Sequence, residues 1–86
     1  MFKNKNQNLN NLCGIKIKEI RQAKIPKMSQ RALADRLQLA GIDLDKNAIQ
    51  RIESGQRFVT DIELFAFSQI LEISLEELLL YSKNQS

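Results

Sequence analysis

The sequence predicts an all-α fold built from five short helices. Apolar residues recur at i, i+4 and i+7 along most of the chain, which is the spacing of one face of an α-helix. A Ser, Thr or Asp precedes four of these stretches, in the position of a helix N-cap. No stretch alternates apolar and polar residues without fitting a helix better, so no strand is predicted.

The first helix is predicted over residues 11–24. Cys13, Ile17 and Ile20 lie at i, i+4 and i+7 and form its apolar face. Pro26 disfavours helical geometry at the residue before it, so the helix ends just ahead of this proline.

The second and third helices are predicted over residues 29–40 and 45–54, and together they form a helix-turn-helix. Ser29 and Asp45 are suited to cap their N-termini. Gly41 supplies the left-handed conformation that often follows a helix end. The apolar residues of both helices repeat at helical spacing: Leu33, Leu37, Ala40, Ala48, Ile49 and Ile52.

Two capping boxes predict the fourth and fifth helices. In the S/T-x-x-E motif, the hydroxyl and the carboxylate each accept from a free backbone N–H of the helix start. Thr60 with Glu63 and Ser74 with Glu77 both have this spacing. The last helix carries apolar residues that we expect to close the core over helices one and four: Leu75, Leu78 and Leu79.

Composition excludes most catalytic chemistry. The chain has 86 residues, no His and one Cys, so it cannot form a Ser-His-Asp triad, a Cys-His dyad or a four-ligand zinc site. We therefore expect no enzyme, no metal and no cofactor.

The charge is unevenly distributed along the chain. Residues 1–57 contain 12 Lys plus Arg and 5 Asp plus Glu, a net charge of +7, whereas residues 58–86 contain 1 and 5, a net charge of −4. A basic region joined to an acidic one favours a polyanionic partner at the basic end. The alternative is a solvated surface that is merely uneven in charge.

The cytoplasm is the expected compartment. Cys13 cannot form an internal disulfide, and the longest apolar run, 78–81, is far shorter than the roughly 20 residues of a membrane span. Lys3 and Lys5 are followed by Asn and Gln instead of the apolar stretch of a signal peptide. We expect neither export nor a membrane partner.

The third helix has a fully polar outward face that suits the major groove of DNA. An α-helix fits this groove, and Asn or Gln can pair bidentately with adenine, as Arg or Lys can with guanine. A cation in such a position can equally contact a phosphate, and any of these positions can be simply solvated. The predicted base-reading residues are Lys46, Asn47, Gln50 and Arg51.

Three segments, MSQRALADRL, AIQRIESGQR and LFAFSQILEISLEELL, resemble the Cro and lambda-repressor type of helix-turn-helix protein, the XRE family. The resemblance covers residues 15–80 and is most specific at residues 29–34 and 49–55. It implies a compact, five-helix, lambda-repressor-like DNA-binding domain acting as a transcriptional regulator, typically a repressor. The protein would localise with the nucleoid.

The resemblance also implies roles for individual residues. In the family, the residue that matches Gln30 contacts a DNA phosphate and can brace the recognition helix. Ser29 and Ser54 lie at positions where the family contacts the DNA backbone. Arg57 resembles the basic phosphate anchor of the family.

A structural ion pair between the first helix and the recognition helix is implied as well. In the family an arginine late in helix one pairs with a glutamate of the recognition helix, and the matching residues are Arg21 and Glu53. Glu53 is therefore expected to be structural.

The sequence departs from the family pattern at three places. The spacing from Ala34 to Ile49 is 15 residues, longer than the common form, so the turn is enlarged within residues 38–44. The connection 24–28 is also lengthened, and Glu72 stands where a helix-ending Gly is common.

The predicted domain organisation is a flexible polar arm at 1–11, the DNA-binding domain at 12–81 and a tail at 82–86. The arm has too few apolar residues to offset the entropy of ordering it. The arm either contacts DNA phosphates or is inert. It has only two lysines, and so few charges favour the inert alternative.

A homodimer on a pseudo-palindromic operator is the expected assembly. Leu80 and Tyr81 are candidate dimer contacts, because the last helix is too short to bury all its apolar residues. The competing hypothesis is a protein-interaction module, such as an antitoxin or a repressor partner, acting through this helix.

Overall fold

The computed structural model describes residues 9–80 and confirms the predicted all-α architecture. Five helices are present within this range, and no strand is. The first three helices lie inside their predicted ranges, and the last two begin directly after the predicted caps Thr60 and Ser74. The helices are α1 Gly14–Ala23, α2 Gln30–Leu39, α3 Lys46–Glu53, α4 Asp61–Leu71 and α5 Leu75–Leu78.

The predicted N-caps form. The Ser29 hydroxyl accepts from the Ala32 amide at 3.0 Å, and the Asp45 carboxylate accepts from the Ala48 amide at 2.8 Å. At α4 both halves of the predicted capping box are present. Polar side chains therefore satisfy backbone donors that a helix start leaves free.

The second capping box is confirmed only in part. The Ser74 hydroxyl accepts from the Glu77 amide at 3.1 Å, which is the hydroxyl half of the motif. This bond starts α5, which is a single turn.

The core lies between α1, α2 and α4, with α3 packed against α1 and α2, and α5 packed against α4. Its fully buried side chains include Ile17, Leu33, Ile49, Phe67 and Leu78. These residues come from all five helices, so the core joins every helix into one unit.

Three residues predicted for the core lie elsewhere. Ala40 is exposed because α2 ends one residue earlier. Leu75 and Leu79 are 39% and 43% exposed, since one helical turn can direct only Leu78 at the core. The prediction that all three leucines of α5 close the core was wrong for these two.

The start of α1 also differs from its predicted position. The helix begins at Gly14 because the Asn11 side chain accepts the Gly14 amide at 2.7 Å, as a cap does. The predicted flexible arm at 1–11 includes Asn10 and Asn11, but Asn11 is hydrogen-bonded to the last turn of α3 and to Arg57, and Asn10 is hydrogen-bonded to Gly55 and Gln56 after that helix. Residues 1–8 of the predicted arm lie outside the described residues, and so does the predicted tail at 82–86.

Gly14 permits a close approach between α1 and α3. A Cβ atom on Gly14 would overlap the carbonyl oxygen of Ile52. The absence of a side chain there lets the start of α1 meet the end of the predicted recognition helix.

None of the helices in the described part of the chain is both long and apolar enough to cross a lipid bilayer.

Candidate nucleic-acid interface

The helix α3 has one buried face and one exposed face. Ala48, Ile49 and Ile52 are buried against α1 and α2, which fixes the orientation of the helix. The opposite face carries only polar side chains. All four predicted base-reading residues lie on it and are exposed: Lys46, Asn47, Gln50 and Arg51.

The enlarged turn before α3 is anchored in the core. Leu44 is 2% exposed, and the side-chain Nε2 of Gln38 donates to the Leu44 backbone carbonyl at 3.5 Å. The Ile42 amide donates to the Leu37 carbonyl at 2.8 Å, and Gly41 adopts the predicted left-handed conformation, with φ +86°. The extra residues thus form an ordered connection, and the start of α3 has a fixed position.

A buried ion pair holds the other end of α3. The Arg21 guanidinium donates to both carboxylate oxygens of Glu53, at 2.7 and 2.9 Å. Arg21 and Glu53 are 6% and 7% exposed. A third bond runs from Arg21 to the Met28 carbonyl at 2.9 Å. The pair implied by the resemblance is therefore present, and it ties α3 to α1 and to the residues before α2.

Gln30 connects this pair to the N-terminus of α2. Its Nε2 donates to Glu53 Oε1 at 2.9 Å. An amide nitrogen has two N–H donors, so the second is available to donate elsewhere. The neighbouring Ser29 is exposed and uses its oxygen as the cap acceptor, which leaves its O–H able to donate.

Ser54 and Arg57 follow α3, and both are engaged within the protein. The Ser54 hydroxyl donates to the Arg51 carbonyl at 3.1 Å. The Arg57 guanidinium donates to Glu63 at 3.0 and 3.4 Å and to the Phe58 carbonyl at 3.0 Å. Arg57 therefore forms an ion pair with Glu63, and this pair was not predicted from the sequence.

The electrostatics of Glu63 are consistent with this pairing. Burial acts to raise the pKa of its carboxyl, but the Arg57 guanidinium and the bonds from Thr60 outweigh burial and hold the pKa below its usual value. Glu63 is thus an anion near neutral pH, beside the cation proposed to contact phosphate.

A cleft between α2 and the start of α3 contains a cation that sequence reasoning missed. The cleft has a volume of about 320 Å³ and brings Arg31 of α2 near Lys46. Arg31 is exposed and follows Gln30 directly, and that adjacency was the available signal. The other polar lining residues are Asp35, Gln38 and Asp45.

The single cysteine has no sign of nucleophilic activation. Cys13 is 2% exposed, and burial raises the pKa of its thiol to about 11. Within residues 9–80, no group of His, Cys, Asp and Glu side chains is arranged to hold a metal ion. The chemistry concentrated on one surface is hydrogen-bond donation, from α3 and from the start of α2.

One comparison with known proteins agrees with this geometry. A family model described as Helix-turn-helix matches residues 17–78, which include all of α2, α3, α4 and α5 and most of α1. Neither the curated proteins nor the solved structures gave a match.

Proposed function

The chain belongs to the XRE family of helix-turn-helix proteins, and from this premise we propose that it binds specific double-stranded DNA sequences as a transcriptional repressor. The observation that carries the proposal is the division of α3 into a buried apolar face and an exposed polar face. The proposed activity involves no catalysis and no cofactor, and it places the protein with the nucleoid in the cytoplasm.

The recognition helix α3 enters the major groove in this proposal. Asn47 and Gln50 carry amides that pair bidentately with adenine, and Lys46 and Arg51 suit guanine or an adjacent phosphate. These side chains lie on a helix held at its start by the enlarged turn and at its end by the Arg21–Glu53 pair. A rigid helix presents base-reading groups in a fixed register.

The phosphate contacts come from the start of α2 and the end of α3. Ser29 and Gln30 each retain a donor, and the N-terminus of α2 adds the positive end of the helix dipole. Ser54 and Arg57 extend the contact along the backbone. Arg57 can use the guanidinium N–H groups that its bonds to Glu63 and Phe58 leave free.

Selection of bound duplexes from a random DNA library, at near-physiological salt, tests the proposal. We expect enrichment of an inverted repeat with a fixed spacing. Salt-sensitive binding without any enriched sequence would contradict sequence-specific recognition.

Variants separate base reading from phosphate contact. Asn47→Ala and Gln50→Ala should each relax the preference at one base position, by about 1–3 kcal/mol of discrimination, because a bidentate pair is lost. Arg57→Ala should weaken binding to all duplexes about equally. Titration of the selected duplex and its single-base variants measures both effects, and equal weakening of every duplex by all three variants would contradict the assignment.

We also propose that the protein binds its operator as a homodimer. The described part of the chain measures 33 × 28 × 19 Å, and half-sites one helical turn apart are about 34 Å from centre to centre. Two copies on adjacent half-sites whose longest dimension follows the DNA axis would therefore come close enough to touch.

The apolar side chains left exposed suggest two surfaces for this contact. Leu80 at the end of α5 is 60% exposed, and Tyr81 lies outside the described residues. At the start of α4, Phe58, Ile62 and Phe65 are also exposed. Leu80 and Tyr81 are the contacts predicted from the sequence, so we propose the surface at α5 as the dimer contact.

Paired charge substitutions distinguish the two surfaces. Leu80→Glu should reduce self-association at least tenfold in sedimentation experiments, because a charge at an apolar contact loses its hydration. Ile62→Glu, an equivalent change on α4, should have little effect. The reverse pattern would move the dimer contact to α4, and no association in wild type would contradict the homodimer.

A second candidate function is a protein-interaction module, an antitoxin or a repressor partner, acting through α5. The observation that favours it is the exposure of Leu75 at the start of α5 and of Leu79 and Leu80 directly after it. The two functions are compatible in one chain. Failure of the DNA selection, together with stoichiometric binding of a partner that Leu80→Glu abolishes, would favour the interaction module.

A further inference from the structure

Asn11 joins three separate parts of the chain through one side chain. Its Oδ1 accepts from the Gly14 amide at 2.7 Å, where α1 begins. Its Nδ2 donates to the Ile52 carbonyl at 3.1 Å, in the last turn of α3, and to the Arg57 carbonyl at 2.7 Å. Three of the hydrogen bonds of this half-buried amide are made to backbone groups, and its Oδ1 also accepts from the Cys13 thiol at 3.9 Å.

Asn10 continues the same pattern on the neighbouring carbonyls. Its backbone N–H donates to the Gly55 carbonyl at 2.8 Å, and its Nδ2 donates to the Gln56 carbonyl at 2.9 Å. Two adjacent asparagines thus bind three successive carbonyls, those of residues 55–57. We call residues 10 and 11 the asparagine clamp.

The asparagine clamp supplies hydrogen-bond donors to carbonyl groups at the end of α3 and in the loop that follows it. The last carbonyls of a helix have no partner in the helix itself, and a loop after it must find other bonds to stay ordered. From the helix side, the Gln56 and Arg57 amides donate to the Arg51 carbonyl at 2.9 and 3.3 Å. The clamp holds the same loop from its opposite, carbonyl side.

The clamped loop belongs to the proposed DNA surface. It begins at Ser54 and ends at Arg57, both proposed phosphate contacts, and it follows the base-reading helix directly. A loop that is ordered before DNA arrives loses less conformational entropy on binding than one that DNA must order.

We propose that Asn11, assisted by Asn10, is a positioning residue for DNA binding. It fixes the end of α3 and the loop 54–57 against the start of α1, so that both meet the DNA backbone already in place. This inference rests on the proposed function, and it assigns to the segment before α1 a role that the sequence analysis gave only to a flexible arm.

The deciding variant is Asn11→Ser in the full chain. A Ser oxygen can still accept from the Gly14 amide as a helix cap, but its side chain is too short to donate to both Ile52 and Arg57. The charge of the protein does not change. The matched control is Gln22→Ser, which removes an exposed amide from α1.

Amide hydrogen exchange reads the clamp without DNA. We expect Asn11→Ser to accelerate exchange at Gln56 and Arg57 about tenfold, because the loop loses its bond at the Arg57 carbonyl and the last turn of α3 loses its bond at the Ile52 carbonyl. Gln22→Ser should leave these two amides unchanged. Equal exchange in both variants would overturn the clamp.

DNA titration then reads positioning. Affinity for the selected duplex should fall about five- to tenfold, while the dependence on salt concentration stays the same, since no phosphate contact is removed. The loss should shrink in an Arg57→Ala background, because binding then no longer requires the loop to be ordered for the Arg57 contact. Faster exchange with unchanged affinity, or the same loss in both backgrounds, would overturn the positioning role. Faster exchange in a protein whose wild type selects no duplex would leave the clamp standing and contradict the proposed function instead.

Discussion

Glu53 is the residue on which the interface depends most. It lies in the last turn of the recognition helix, yet its carboxylate faces inward and accepts from Arg21 and Gln30. A buried carboxylate without partners is strongly disfavoured, so these donors are required for the helix to pack as it does. The resemblance implied the pair with Arg21, whereas the bond from Arg21 to the Met28 carbonyl is known only from the structure.

Removing one partner of the buried pair should cost more than removing both. Glu53→Ala should lower the free energy of unfolding by about 3–5 kcal/mol, because it leaves the Arg21 charge buried and unpaired. The double variant Arg21→Met/Glu53→Leu should recover more than half of that loss. Urea denaturation at neutral pH measures these changes.

The exposed pair between Lys16 and Glu19, 3.7 Å apart, provides the control. Glu19→Ala should change the free energy of unfolding by less than about 1 kcal/mol, since water screens this pair. A similar loss from Glu19→Ala and Glu53→Ala would contradict the importance of burial.

At the scale of the elements, each helix end has a specific local solution. Most helix N-termini have the Ser, Asp or Thr caps that the sequence predicts. The C-terminus of α4, in contrast, ends on a residue whose backbone conformation is unfavourable. Glu72 terminates α4 in the left-handed conformation, with φ 59°, at the position where the family commonly has Gly. An L-residue with a Cβ is strained there, so this end costs stability.

The same substitution should therefore have opposite effects at two helix positions. Glu72→Gly should raise the free energy of unfolding by roughly 1 kcal/mol, because Gly adopts positive φ without strain. Glu19→Gly, at an exposed position inside α1, should lower it by about 1 kcal/mol. Thermal or urea denaturation of the two variants gives the signs, and a loss of stability in both would show that Glu72 is not strained.

At the scale of the whole molecule, the charge is divided unevenly between two parts of the sequence. Residues 1–57 carry a net charge of +7 and contain α3 and the start of α2, whereas residues 58–86 carry −4. This separation favours approach of the basic side to a duplex. The Arg57–Glu63 pair lies at the boundary between the two regions and lowers the local excess of positive charge.

The salt dependence of DNA binding should identify which cations contact phosphate. We propose that Arg31, which is exposed and adjacent to the proposed phosphate contact Gln30, also contacts a phosphate. Arg31→Gln should then reduce the slope of log K against log salt by about 1 for each copy bound. Lys18→Gln removes the same charge from the exposed face of α1 and should leave the slope nearly unchanged. Equal changes in both variants would indicate that only net charge matters and not the position of Arg31.

Local patterns in the sequence predict much of this protein. The helical spacing of apolar residues predicts the core-facing side of α1, α2 and α3. One residue from each predicted face, Ile17, Leu33 and Ile49, is fully buried in the structure. Caps at Ser29 and Asp45 fix two helix starts to within one residue. These features depend on residues within a few positions of each other, so they can be predicted from the sequence alone.

The tertiary structure decided the features that join distant parts of the chain. Asn11 bonds to the Arg57 carbonyl across 46 positions, and Gln30 bonds to Glu53 across 23, so neither contact has a local signature. The short α5 turned Leu75 away from the core, although its spacing suited burial. The sequence by itself determined the helices, the family resemblance and the polar face of α3. Folding determined how firmly that face is held, because hydrogen-bond partners and buried area depend on which segments meet in space.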